Sequence, residues 1–217
     1  MIGDPLRCSV LSMKIIPRVD EALKNALGLP EEHHAIGLFT ADIDDVAYTC
    51  LDEATKKADV KVVYAKSFYG GAANASTLLA GEIIGIISGP NPAEVRAGLQ
   101  AIRDMMANDA CFYSANDDDS ICYYAYTISR SGTYLSEVAG VPQGTAIAYL
   151  IAPPEEAVYG IDAALKAAEV QLSAFYGPPS ETNFGGGLLT GEQSACKAAC
   201  LAFAEAVQHV ASHPTEY

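Results

Sequence analysis

The 217-residue sequence predicts an α+β fold with α/β sandwich-like layers, present twice in tandem. Three observations lead there: a self-similarity at long offset, an order of elements shared by both halves, and a glycine-rich loop at the same place in each. Half of the residues are hydrophobic and 18% are charged, so the chain has material for a well-buried core. At this length two domains of ordinary size are expected, 1–108 and 109–217.

An offset of 110 residues aligns Ala35 through Glu82 with Thr145 through Glu192 without a gap. The identities pair Ala47 with Ala157, Asp52 with Asp162, Ala54 with Ala164, Lys56 with Lys166, Ala58 with Ala168 and Val60 with Val170. Further along they pair Leu78 with Leu188, Leu79 with Leu189, Gly81 with Gly191 and Glu82 with Glu192.

The stretch from His34 toward Tyr48 alternates around Ile36, Leu38 and Phe39 as a strand does, and Thr145 to Ala152 is its apolar counterpart. From Asp45 to Ala58 and from Glu155 to Ala168 apolar residues recur at helical spacing, with Asp52, Glu53 and Asp162 on the side expected to face solvent. Val60 to Tyr64 reads as a strand. It leads into the loop Tyr69–Thr77, whose counterpart is Tyr176–Gly187. Leu78 to Ser88 then reads as one continuous apolar strand, and Pro92 stands at the first position of a helix over Ala93–Met106. Gly191 to Val210 repeats that strand-to-helix step. Arg7–Ile16 and Ile121–Ile128 read as edge or returning strands, each before a short helix, at Val19–Leu27 and Tyr134–Val138.

The formal charge of -14 argues against a nucleic-acid partner, and no basic patch offsets it. No apolar run of spanning length occurs and Met1–Arg7 lacks the pattern of an export signal, so a cytoplasmic protein without a membrane partner is expected. The six cysteines show no CxxC pair and are expected as reduced, mostly buried thiols. Cys196 and Cys200 read as core packing, His209 and His213 as a solvent-facing helix end, and His33-His34 as an exposed turn; no metal site and no cofactor are expected. GxGxxG, phosphate-loop and HExxH signatures are absent, and no histidine converges with a thiol in a catalytic motif, so an enzyme is not expected.

The stretches 41–46, 51–56, 62–67, 80–82 and 89–99, together with 129–135, 148–157, 161–166, 179–184 and 189–200, are similar to the tandem-domain shell proteins of ethanolamine-utilisation bacterial microcompartments across nearly the whole chain. This resemblance implies two circularly permuted microcompartment shell domains. It also implies a homotrimer forming a pseudohexameric tile beside other shell proteins, with a gated central pore and smaller channels that bind ethanolamine. The loops Tyr69–Thr77 and Tyr176–Gly187 would line or gate the central opening, since glycine permits large backbone changes. By the same resemblance Asp44, Asp45 and Glu82, with backbone oxygens near Phe112 and Thr182, form the ethanolamine site. Carboxylates and carbonyls accept what a protonated amine donates, each good contact contributing roughly 1.5–3 kcal/mol. From the residues alone, Asp44 and Asp45 also suit helix capping. A soluble amine-binding regulatory protein with duplicated domains, or a small-molecule lyase or hydrolase, stays open at this point.

Overall fold

The computed structural model describes residues 1–68 and 70–215. Its elements, in chain order, are β1 (Pro5–Arg7), β2 (Val10–Ile16), α1 (Glu21–Leu27), β3 (Ala35–Ala41), α2 (Asp44–Lys57), β4 (Lys61–Ser67), a 3-10 turn at Ala72–Asn74, β5 (Ile83–Gly89) and α3 (Pro92–Asn108). The later elements are β6 (Cys111–Ser114), β7 (Cys122–Ile128), α4 (Thr133–Ala139), β8 (Ala146–Ala152), α5 (Pro154–Ala167), β9 (Val170–Tyr176), β10 (Gly185–Gly191) and α6 (Gln193–Ser212). They group into two compact units. One comprises Cys8–Ala110 with Gly132–Leu135, the other Met1–Arg7, Cys111–Ser131 and Ser136–Tyr217.

In the first of these units four strands form an antiparallel sheet in the order β2-β3-β5-β4. The two central strands are apolar on both faces because both faces are covered. Ile36, Leu38, Ile84 and Ile86 pack with Val19 and Leu27 on the α1 side. On the opposite face Gly37 stands against α3, where an added Cβ would come within 2.8 Å of Val95 and 2.9 Å of Leu99. Asn91 caps α3, its side-chain oxygen accepting from the amides of Ala93 and Glu94, and Pro92 opens the helix as expected.

The second unit has a six-stranded antiparallel sheet in the order β1-β6-β7-β8-β10-β9. Against it lie α5 and α6, and the core between them holds Leu150, Leu189, Ile161, Cys196, Cys200 and Phe203. The core role expected of Cys196 and Cys200 is what the fold shows, and all six cysteines are free of disulfides.

Several expectations need correction. Leu78 and Leu79 are not in a strand; they sit in a turn, 93% and 62% exposed, and β5 starts only at Ile83. Conversely Gly185–Gly187 are not loop but the start of β10, so the second loop is 177–184. The two loops therefore differ in length, and β5 is the counterpart of β10. The identities of Leu78, Leu79, Gly81 and Glu82 with Leu188, Leu189, Gly191 and Glu192 join non-equivalent positions. The matches from Ala47 to Val60 do fall on equivalent stretches, α2 with α5 and the entry to β4 with that to β9. Asp52 is not solvent-facing but wholly buried, because its partners come from far along the chain. His33 is also buried, its Nδ1 2.8 Å from the hydroxyl of Ser88, and burial lowers its pKa. Tyr69, the expected start of the first loop, lies outside the described residues.

Candidate functional site

The site begins where β3 ends. Ala41 gives its carbonyl to the amide of Glu82, and the carbonyl of Glu82 in turn accepts from the amide of Phe68, just beyond β4. Glu82 is thus clamped between two strand ends, directly before β5. Two residues after β3, α2 opens with Asp44 and Asp45, both 7% exposed. A carboxylate in a first helical turn is favoured by the exposed amides and the helix dipole. Asp44 uses one oxygen for this, accepting from the amide of Asp45 at 2.8 Å. Its other oxygen accepts from the Ser67 hydroxyl at 2.6 Å, and Ser67 lies 2.7 Å from the hydroxyl of Tyr48.

The Glu82 carboxyl lies close enough to that of Asp44 and to the 3-10 turn at Ala72 for both to act on its charge. A Cβ built on Gly71 (φ +73°) would stand 3.6 Å from its Oε2, so the loop passes beside the acid at ordinary contact distance. Burial, then the negative charge of Asp44, push the Glu82 pKa up to about 8. Burial likewise pushes Tyr48 up to about 12, so that hydroxyl stays protonated and can donate. Among the described residues no ion pair reaches Asp44 or Glu82. The result is an acceptor-rich acidic cluster whose charge a small cation would neutralise.

Asp44, Asp45 and Glu82 are therefore gathered at one end of one sheet. Phe112 and Thr182 belong to the other unit. There Phe112 is buried on β6, stacked on Tyr124 with ring centroids 5.3 Å apart and edge-on to Phe184 at 6.0 Å. Thr182 is buried in the loop after β9, its amide and hydroxyl each 3.4 Å from the Ser180 hydroxyl. Sequence reasoning missed Ser67 and Tyr48, which hold Asp44. Their partnership depends on β4 ending beside α2, and no local motif announces it.

It also missed the task of Asp52. Its two oxygens accept from the amides of Gly132 at 2.7 Å and Leu135 at 2.8 Å, capping α4, while Thr55 receives the amide of Thr133 at 3.0 Å. Burial raises the Asp52 pKa and the two amides oppose that rise. No group of three or more metal-ligating side chains occurs among the described residues. His209 and His213 bring their rings within 4.9 Å at the exposed end of α6. No helix among the described residues is long and apolar enough to cross a membrane.

The BMC domain family matches residues 35–116, which span β3 to β6. A bacterial microcompartment shell protein EutL of Clostridium perfringens is 61% identical over 99% of both chains. The crystal structure of the ethanolamine utilization protein EutL from Leptotrichia buccalis superposes with a TM-score of 0.99 at 67% identity, covering 100% of each chain. A trimeric microcompartment shell protein, PduB, shares the fold at a TM-score of 0.77 and 22% identity, over 94% of this chain and 89% of its own. Duplicated antiparallel α+β units of this kind define a tandem BMC-domain shell protein. More particularly, the chain belongs to the EutL family of bacterial microcompartment shell proteins. Its role is structural, and its place is the microcompartment shell.

Proposed function

We propose that the chain forms a homotrimeric, pseudohexameric shell tile with a gated central pore, and that its acidic site captures ethanolamine without turning it over. In this reading 1–108 and 109–217 are the two circularly permuted shell domains, and other shell proteins are the neighbours in the wall. The observation that carries the ligand is the Asp44–Glu82 pair: two neighbouring carboxyls, one buried and one half-buried, without an ion pair among the described residues. A protonated primary amine supplies three donors and one positive charge to such a cluster. Asp45 shares the same helix turn, and Phe112 and Thr182 complete the proposed ligand set through backbone oxygens. The solved relative from Leptotrichia buccalis is an ethanolamine utilization protein, which supports this choice among small amines.

The glycine-bearing loops that precede β5 and β10 are proposed to line and gate the central opening, residues 70–77 and 177–184 among the described ones. Titration calorimetry with ethanolamine, followed by product analysis, tests capture without turnover. Binding without product is expected, and Glu82→Gln should weaken it by about tenfold or more. Equal affinity in wild type and variant would remove Glu82 from the site, and appearance of product would overturn the non-catalytic reading.

A further inference from the structure

The first unit leaves bare a strand edge that is covered in its second copy. At an offset of 112 residues, Ile16, Arg18, Leu23, Gly28 and Pro30 match Ile128, Arg130, Leu135, Gly140 and Pro142 without a gap, which makes β2 the counterpart of β7. Gly28 and Gly140 agree in backbone as well, with φ of +63° and +66°. The strands β5 and β10 coincide at an offset of 102, so Met106 on α3 corresponds to Gln208 on α6. In the second unit β7 has β8 on one side and β6 on the other, where Tyr113 and Ser114 pair with Tyr123 and Cys122. Tyr113 brings its ring within 6.0 Å of that of Tyr123, whose hydroxyl accepts from Gln208 at 3.0 Å. In the first unit β2 pairs only with β3 among the described residues.

Where β6 would lie, the first unit has a hollow. About 480 Å³ of it is walled by residues 10–13 of β2 and by Arg103, Met106 and Ala107 of α3. Leu11 and Met106, the counterparts of Tyr123 and Gln208, are among that lining. A further 440 Å³ continues along residues 13–15 past Arg96, Leu99 and Gln100. Met13 and Arg103 line both parts, so they form one trough between β2 and α3. Side chains of a strand alternate between its faces, so a wall made of successive residues is the backbone edge itself.

The trough is rimmed by cations in a chain whose formal charge is -14. Arg96 and Arg103 on α3 and Lys14 on β2 are exposed, and none has an ion pair among the described residues. Arg103 donates to the Met13 thioether at 3.5 Å, and sulfur is a weak acceptor. The nearby carboxylates are engaged elsewhere: Asp104 accepts from Gln100 and Asp42 from the amide of Ser9. These basic residues are scattered in sequence, and only the fold gathers them.

We infer that the β2 edge receives an extended, acidic segment of another protein, added to the sheet as a further strand with its carboxylates on Arg96 and Arg103. Main-chain bonds to a bare edge supply affinity in such strand addition, and side-chain contacts supply selection. The two arginines stand about 10 Å apart along the helix axis, and acids four residues apart on one side of a strand about 13 Å, a difference that long side chains span. An aromatic residue between the acids would lie against Met106 as Tyr113 lies near Gln208. The other sheet-edge strands of this chain do not meet the charge requirement, for β4 carries Lys61 and Lys66 and β9 has no acidic residue.

The test uses the full chain and a short fluorescent peptide of alternating valine and threonine, with a central tyrosine and a glutamate two residues to either side. Anisotropy is expected to show binding that weakens about tenfold or more when both glutamates become glutamine, and likewise for the Arg96→Glu, Arg103→Glu double variant. A peptide with lysines in place of the glutamates should prefer that double variant to wild type. N-methylation of one alternate set of peptide amides should abolish binding and of the other set leave it, because an added strand bonds through every second residue. No binding of the acidic peptide by wild type, affinity indifferent to the two arginines, or equal tolerance of both methylated sets would overturn the inference. Light scattering decides the remaining occupant: equal mass for wild type and double variant is expected, and a lower mass in the variant would assign the trough to a second copy instead.

Discussion

Asp52 accepts two amide hydrogens in a dry setting, whereas Glu82 is half-buried beside the negative charge of Asp44. Removing the first acid orphans two donors: Asp52→Ala should lower stability by about 3 kcal/mol in denaturant unfolding, because buried charge-assisted bonds are lost and the amides find no substitute. Glu82 behaves in the opposite sense. Its pKa in the fold, about 8, lies above the ordinary 4.5, so the folded chain holds the proton more tightly than the unfolded one. The stability due to that proton is present below the ordinary value and is lost as pH rises toward 8. Glu82→Gln should flatten this decline in a series of melts across that window. Amine capture needs the ionised acid, so ethanolamine affinity should rise from about pH 6 to about pH 8.5, with proton release detectable by calorimetry in buffers of different ionisation enthalpy. Glu82 itself was legible through family resemblance. The burial of Asp52 was not, since helical spacing places it on the polar side of the stripe and its first partner lies 80 residues away.

Local patterns foresaw most helices and strands because apolar period and punctuation agree there. Pro92 opens α3, Gly28 and Gly140 follow α1 and α4, and the paired helices α2 and α5 begin one residue before the expected positions. The failures cluster between β4 and β5 and between β9 and β10. Leu78 and Leu79 look like strand residues but sit in a turn, while the glycine triplet at 185 looks like loop but pairs in register with Ala152, Ile151 and Leu150. Hydrogen bonding across the sheet decided both, and that information is non-local. The entry to α4 shows how closely an element can depend on a glycine. A Cβ at Gly132 would fall 2.2 Å from the Thr55 hydroxyl and 2.6 Å from the Asp52 carbonyl. Gly132→Ala should therefore push α4 off its cap and destabilise the protein by about 2 kcal/mol or more, measurable as a fall in the unfolding midpoint.

The duplication was visible in the sequence from Ala47 to Val60, yet its true extent required backbone positions, because loops of different length break any single offset. The same duplication underlies the proposed assembly, in which two similar units per chain and three chains make a six-fold-like tile whose acidic sites take a small organic cation. Native mass spectrometry of the purified protein in ethanolamine tests that claim most directly. A complex of three times the 22.8 kDa protomer, binding up to three ethanolamine molecules and losing them in Glu82→Gln, is the predicted result. Protomer mass at every concentration, or a trimer that takes up the amine equally with and without the Glu82 carboxylate, would contradict it.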